Sequence, residues 1–237
     1  MIRFAMVSRP LSEADMRLAK QMVMTDVVNT MTGVPMVPEP VQGPAWSYVD
    51  LLHRRQRAEA AGMTLSVIEG YQLSDRITLG RPGRDDDIAL ICETISNMGS
   101  VGIPIYCYNF MAVFNWLRTA TAVRGRGDAL VTRFDNSDLA HAPLTYAGKT
   151  SDEQMWENFR YFLLRVLPVA EAANVKLALH PDDPPMSPVR GLARIMRSMD
   201  AFKRVLDMAN SPTSDSSRRL SPGSPRDGRA SRWLRAS

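Results

Sequence analysis

Apolar positions along the chain fall into short runs that alternate with longer stretches of helical period. "IRFAMVS" (2–8) reads as a strand and "SEADMRLAKQMV" (12–23) as an amphipathic helix, with Ser12 placed as N-cap and Asp15 as the acidic third residue. "DVVNTMT" (26–32) is a second strand, followed by the proline-punctuated loop "GVPMVPEPVQGP" (33–44) and a helix over 45–61 that stops at Gly62. "TLSVIEG" (64–70) is a third strand, and "RDDDIALICETISNMGSVG" (84–102) a helix with its acidic residues at the favourable N-terminal end. "IPIYCYN" (103–109) is a fourth strand. After a long loop come the helix 152–174, with a kink or break expected at Pro168, the strand "VKLALH" (175–180) and a last helix over 198–210.

Five strand–helix units in strict alternation predict a parallel α/β architecture, either a doubly wound open sheet or a (β/α)8 barrel. No G-x-G-x-x-G follows the first strand, which argues against the dinucleotide-binding form of the open sheet. The strands end in "NTMT", "IEG", "CYN" and "LHPDD", all polar, and reactive residues gather at strand ends in a barrel. The expectation is therefore a (β/α)8 TIM-barrel type, incomplete at about five units, spanning 1–213 and followed by a disordered Arg/Ser-rich tail over 214–237. Five units leave two sheet edges and several apolar faces without partners, which predicts a poorly soluble or partly molten chain.

Composition adds exclusions. The chain is 45% hydrophobic and 23% charged, as globular proteins are, and no run of about 18 apolar residues is present to span a membrane. "MIRFAMVSRPL" is too short and polar for a secretory signal, and Cys92 and Cys107 form no C-x-x-C. They read as reduced, buried thiols of a cytoplasmic protein. The net charge of +4 lies in the tail: residues 214–237 hold six Arg and two acidic residues, leaving 23 basic against 23 acidic elsewhere. The body thus offers no basic excess to a nucleic acid.

The run "VKLALHPDDPP" (175–185) carries one of the chain's three histidines straight into two aspartates and three prolines. His180 at such a rigid acidic strand end suits a divalent metal or a polyhydroxylated substrate, or else a hydrogen-bonded strand cap, with Asp182 and Asp183 as ligands or merely loop caps. Glu69 and Asn109, at other strand ends, would face the same opening. Glu69 there could bind a substrate hydroxyl, move a proton, or pair with an arginine. Arg118 follows the aromatic stretch "YCYNFMAVFNW" and suits a substrate carboxylate, while the aromatics themselves read as core. His53, among Arg54, Arg55 and Arg57, reads as surface, His141 as a loop residue within reach of the mouth, and "RGRGD" (124–128) as a solvated turn.

"IPIYCYNFMAVFNWLRT", "RFD" (133–135), "LRVLPVAEAANVKLALHPDDPP" and "GLARI" (191–195) together resemble the mannonate dehydratase family, over roughly residues 2–213. The resemblance implies a (β/α)8 barrel that dehydrates D-mannonate to 2-keto-3-deoxy-D-gluconate in hexuronate (glucuronate) catabolism, with Mn2+ or Fe2+ as cofactor. It implies His180 as a metal ligand and Arg118 and Asn109 as substrate contacts, with Glu69 at the same mouth. The family's other ligands, a cysteine, a histidine and an aspartate, stand on later strands. After Thr213 the chain has neither Cys nor His and reads as an out-of-frame translation or a genuine basic tail. The chain as written is therefore expected to be inactive. The alternatives are another metal-dependent sugar isomerase or epimerase on the same barrel, and a non-catalytic remnant or binding protein. The expected partner is a small sugar acid, with no nucleic acid and no membrane, and assembly as a homo-oligomer is left open.

Overall fold

In the computed structural model the described residues are 3–9, 11–30, 44–70, 72–210 and 234–236. Parallel strands β1 (Ala5–Val7), β2 (Asp26–Thr30), β3 (Thr64–Glu69) and β4 (Ile105–Tyr108) lie side by side in chain order. An antiparallel hairpin, β5 (Ala120–Arg124) with β6 (Leu130–Arg133), stands apart from that sheet. β7 (Lys176–Leu179) then pairs with β4, and β8 (Leu234–Ala236) pairs with β7, again parallel.

The helices are α1 (Glu13–Gln21), α2 (Tyr48–Ala60), α3 (Asp75–Thr78), α4 (Arg84–Val101), α5 (Asp152–Ala172) and α6 (Met199–Asn210). Four of them start the same way. The hydroxyls of Ser12, Ser47, Ser74 and Ser151 accept the backbone N–H three residues on, at 3.1, 3.1, 3.4 and 3.2 Å, which satisfies a donor the helix cannot. α4 begins instead at Gly83, which takes φ 84, with Asp85, Asp86 and Asp87 in its first turn.

The register sorts side chains onto two faces, because successive residues of a strand point opposite ways. One face carries rungs such as Asn29–Ile68–Tyr106–Leu177, all buried beneath the helices. Tyr108, on that same face, packs at a tilt against Phe162 of α5, ring centroids 5.5 Å apart, and Phe110 meets Phe159 edge-on at 5.1 Å. The aromatic run 106–114 is thus core, as its density predicts. The other face carries the rung Val7–Val28–Val67–Ile105–Lys176, none of it buried. In a closed barrel this face would be the packed interior.

Three expectations change. The loop after β4 holds the exposed hairpin β5–β6 and not irregular chain alone. α3 is an extra turn between β3 and α4. α5 runs without a break through Pro168, because Val166, Leu167 and Ala170 are buried in the core and hold the helix across the missing N–H. The loop 33–44 lies outside the described residues except for Pro44, and so does 211–233. The tail contributes β8, with Leu234, Arg235 and Ala236 opposite Leu177, Ala178 and Leu179.

Candidate functional site

Strand parity assembles the site. Thr30, Glu69, Cys107 and Ala178 form one rung on the less buried face, and His180, two residues past Ala178, follows on the same side. The His180 backbone N–H still donates to the Tyr108 carbonyl at 2.9 Å, so the sheet fixes the imidazole as firmly as a strand residue. His180 Nε2 then lies 3.4 Å from Glu69 Oε1, both side chains roughly a third exposed. Glu69 therefore meets a histidine and not an arginine. A hydrogen bond with the Cys107 sulfur, and a second with Glu69, outweigh burial and raise the His180 imidazole to about 10. Cys107 is the residue that sequence reasoning passes over: it is buried and reduced, as expected, yet it touches the candidate ligand.

The loop after His180 is held from two sides. Asp183 takes a two-pronged ion pair from Arg118, at 2.8 and 2.6 Å, and its carbonyl accepts from the Leu117 N–H at 3.2 Å. Arg118 thus points at the loop's own carboxylate, the group a substrate carboxylate would have to displace. Asp182 is buried and turns inward. Its Oδ2 accepts from the Met196 N–H at 2.6 Å, and its N–H donates to the Met196 carbonyl at 2.9 Å. That is the capping role, not a ligand's.

Beneath it sits Arg194, 1% exposed, 3.8 Å from Asp182 Oδ1 and donating to the Asn115 carbonyl at 3.2 Å. Burial pushes the Asp182 carboxyl up and pulls the Arg194 guanidinium down, each opposed by the other's charge. Asn109 is largely buried, and its amide spans the next loop, donating to Asn115 Oδ1 at 3.0 Å and accepting from the Met111 N–H at 3.3 Å. Of the four expected site residues, Glu69 and His180 are therefore in contact, while Arg118 and Asn109 hold the loops around them. His53 and His141 are exposed and make no hydrogen bond or ion pair to this group.

Imidazole, carboxylate and thiol are chemically suited to a first-row divalent metal. Yet among the described residues no group of three or more His, Cys, Asp or Glu is arranged to hold one, and an imidazole that keeps its proton has no lone pair to give. The described residues therefore do not by themselves form a metal site.

The model of the D-mannonate dehydratase (UxuA) family matches residues 13–146 and 143–217 of this chain. The chain belongs to the mannonate dehydratase family. It is 35% identical to the mannonate dehydratase of Streptococcus equi subsp. zooepidemicus over 213 residues, 80% of this chain and 57% of that protein. A mannonate dehydratase of Streptococcus agalactiae is 34% identical over 211 residues, 79% of this chain and 59% of its own. The crystal structure of mannonate dehydratase from Streptococcus suis serotype2 superposes with a TM-score of 0.77 at 32% identity, over 90% of this chain and 61% of that one. A D-psicose 3-epimerase from Clostridium cellulolyticum H10 shares the barrel fold at a TM-score of 0.52 and 11% identity. The chain is thus a partial TIM barrel of the mannonate dehydratase family, spanning less than two thirds of its relatives' length. Among the described residues no helix is long and apolar enough to cross a membrane.

Proposed function

We propose that this chain carries the first part of an active site that dehydrates D-mannonate to 2-keto-3-deoxy-D-gluconate. The observation that carries the reading is the contact between His180 and Glu69 at the polar end of a mannonate dehydratase sheet. Removing the proton beside a carboxylate builds negative charge on that carboxylate, so a cation must lie close by and a base must be at hand. Mn2+ or Fe2+ is our reading of the cation, with His180 as one of its ligands. When bound, such a metal supplies stabilisation of the developing enediolate. His180 would bind it only after giving up the proton that Glu69 and Cys107 now help it keep. Glu69 would then be released from the imidazole to accept a substrate hydroxyl or move a proton. Arg118 offers the substrate carboxylate the two-pronged bond that Asp183 now occupies, and Asn109 keeps the loop 109–115 in place beneath it. The substrate is accordingly a small sugar acid, and we place the reaction in hexuronate breakdown in the cytoplasm.

The test is to titrate Mn2+ and Fe2+ into the chain and into H180A, because the chain as written is expected not to turn over D-mannonate. Metal binding by the chain that is lost in H180A supports the reading. Binding by H180A equal to that of the parent chain, or no binding of either metal by the parent chain, overturns it.

A further inference from the structure

Among the described residues, the buried side-chain atoms without a hydrogen-bond partner are Thr30 Oγ1, Tyr108 Oη, Asp182 Oδ1, and Nε and Nη1 of Arg194. The Asp182 and Arg194 atoms belong to one buried ion pair. The Tyr108 hydroxyl lies on the helix side of the sheet, where its ring packs against Phe162. Thr30 is the one that stands on the face bearing Glu69 and His180.

Asp26, Val28 and Thr30 of β2 share that face, because alternate residues of a strand point the same way. Each is placed in a different manner. The Asp26 carboxylate, at the far end, accepts hydrogen bonds from Arg3, Ser66 and Thr25. Val28 is apolar and half-buried. Thr30 ends the strand at the polar mouth, only 7% exposed, with its hydroxyl unpaired. Valine has the same branched shape, suits a strand as well, and carries no hydroxyl to leave unpaired. A buried hydroxyl without a partner lowers stability, so nothing in the packing of β2 accounts for threonine here.

The register sets Thr30 directly beside Glu69, the last residue of β3. Neighbouring strands lie about 4.8 Å apart, a gap that two hydrogen bonds of about 2.8 Å can bridge through one shared oxygen. Glu69, whose Oε1 faces His180, is about a third exposed and opens the rung to the mouth. An ionised carboxylate only accepts, whereas a threonine hydroxyl can donate. A ligand hydroxyl can accept from Thr30 while it donates to Glu69. A carboxylate or phosphate oxygen has no proton to give Glu69.

We propose that Thr30 is a specificity-determining residue of this mouth, its hydroxyl and the Glu69 carboxylate together holding one hydroxyl of the sugar acid. The inference rests on the reading of the mouth as a sugar-acid site and takes nothing from the metal.

D-Mannonate titrated by calorimetry into the full chain, with and without Mn2+, is the measurement. Saturable binding is expected, about fivefold weaker in T30V and within about twofold of the parent in T30S, which keeps the hydroxyl. Without ligand, T30V should melt no lower than the parent, since it removes an unpaired polar atom and keeps the shape. E69Q should also weaken binding. T30V/E69Q should cost less than the product of the two separate factors, because one ligand hydroxyl serves both side chains. The role of Thr30 is overturned by absence of saturable binding, by equal binding in T30V, by T30S as weak as T30V, by losses that multiply, or by a T30V melting temperature well below the parent's. Metal binding in H180A scores the wider reading separately. Metal lost in H180A with D-mannonate affinity unchanged in T30V sinks the Thr30 inference alone. Affinity lost in T30V with metal binding unchanged in H180A sinks the metal reading alone.

Discussion

Glu69 and Cys107 each stand one position from a residue that packs the core: Ile68 precedes the first, and Tyr106 and Tyr108 flank the second. At this scale electrostatics decides which carboxylates serve the fold. Asp26 is buried at the other end of the sheet from His180. Burial works to raise its carboxyl, but hydrogen bonds from Arg3, Ser66 and Thr25 outweigh that and hold it below the usual carboxylate range. A carboxyl lowered by folding stabilises the fold above its ordinary pKa of about 3.9, and that contribution is lost as pH falls toward the folded value. D26N should therefore be less stable than the parent chain at pH 7, with the gap narrowing by pH 3, as urea melts at the two pH values will read. Arg194 tests the opposite case, a buried pair. R194M strands the Asp182 charge and should cost about 3 kcal/mol, whereas adding D182N should restore most of it. Denaturant midpoints of the three variants measure both effects.

The helices show what each element owes to its neighbours. α4 meets the C-cap of α5 at Gly99, where an added Cβ would lie 2.7 Å from the Ala173 Cβ and would press on the Ala173 carbonyl. G99A should thus lower stability by about 1–3 kcal/mol through overpacking, seen as a lower melting temperature with unchanged helical circular dichroism. The five strand–helix units were legible because each strand is an apolar run and each helix carries a serine cap or an acidic first turn. The β5–β6 hairpin was not, since Leu130 and Val131 are exposed and the strand is stabilised by its antiparallel partner, which periodicity does not reveal. A break at Pro168 was expected for a related reason and does not occur: tertiary burial outweighs a local helix breaker. The candidate site was legible only residue by residue. His180 stands out in its proline-framed loop, but its meeting with Glu69 and Cys107 depends on sheet order across three strands. Arg194, within "GLARI", gave no signal of its own beyond the family match.

For the whole molecule, the less buried sheet face sets behaviour in solution. Val7 is 58% exposed, and with the half-buried Val28, Val67 and Ile105 it forms an apolar rung that the described residues cover only in part. The chain should therefore self-associate as concentration rises, and V7K should shift it toward monomer in size-exclusion chromatography with light scattering. An unchanged, monomeric elution for both proteins would count against this.

The alternation along β4 has a genetic consequence. Replacing Cys107 or Glu69 changes chemistry on one face and leaves the core rung of Tyr106 and Ile68 untouched. Deleting a single codon within β4 would instead exchange the two faces, turning a tyrosine toward His180 and a thiol toward α5. Selection can thus rework this mouth by point substitution, while length changes in the strands beneath it are removed.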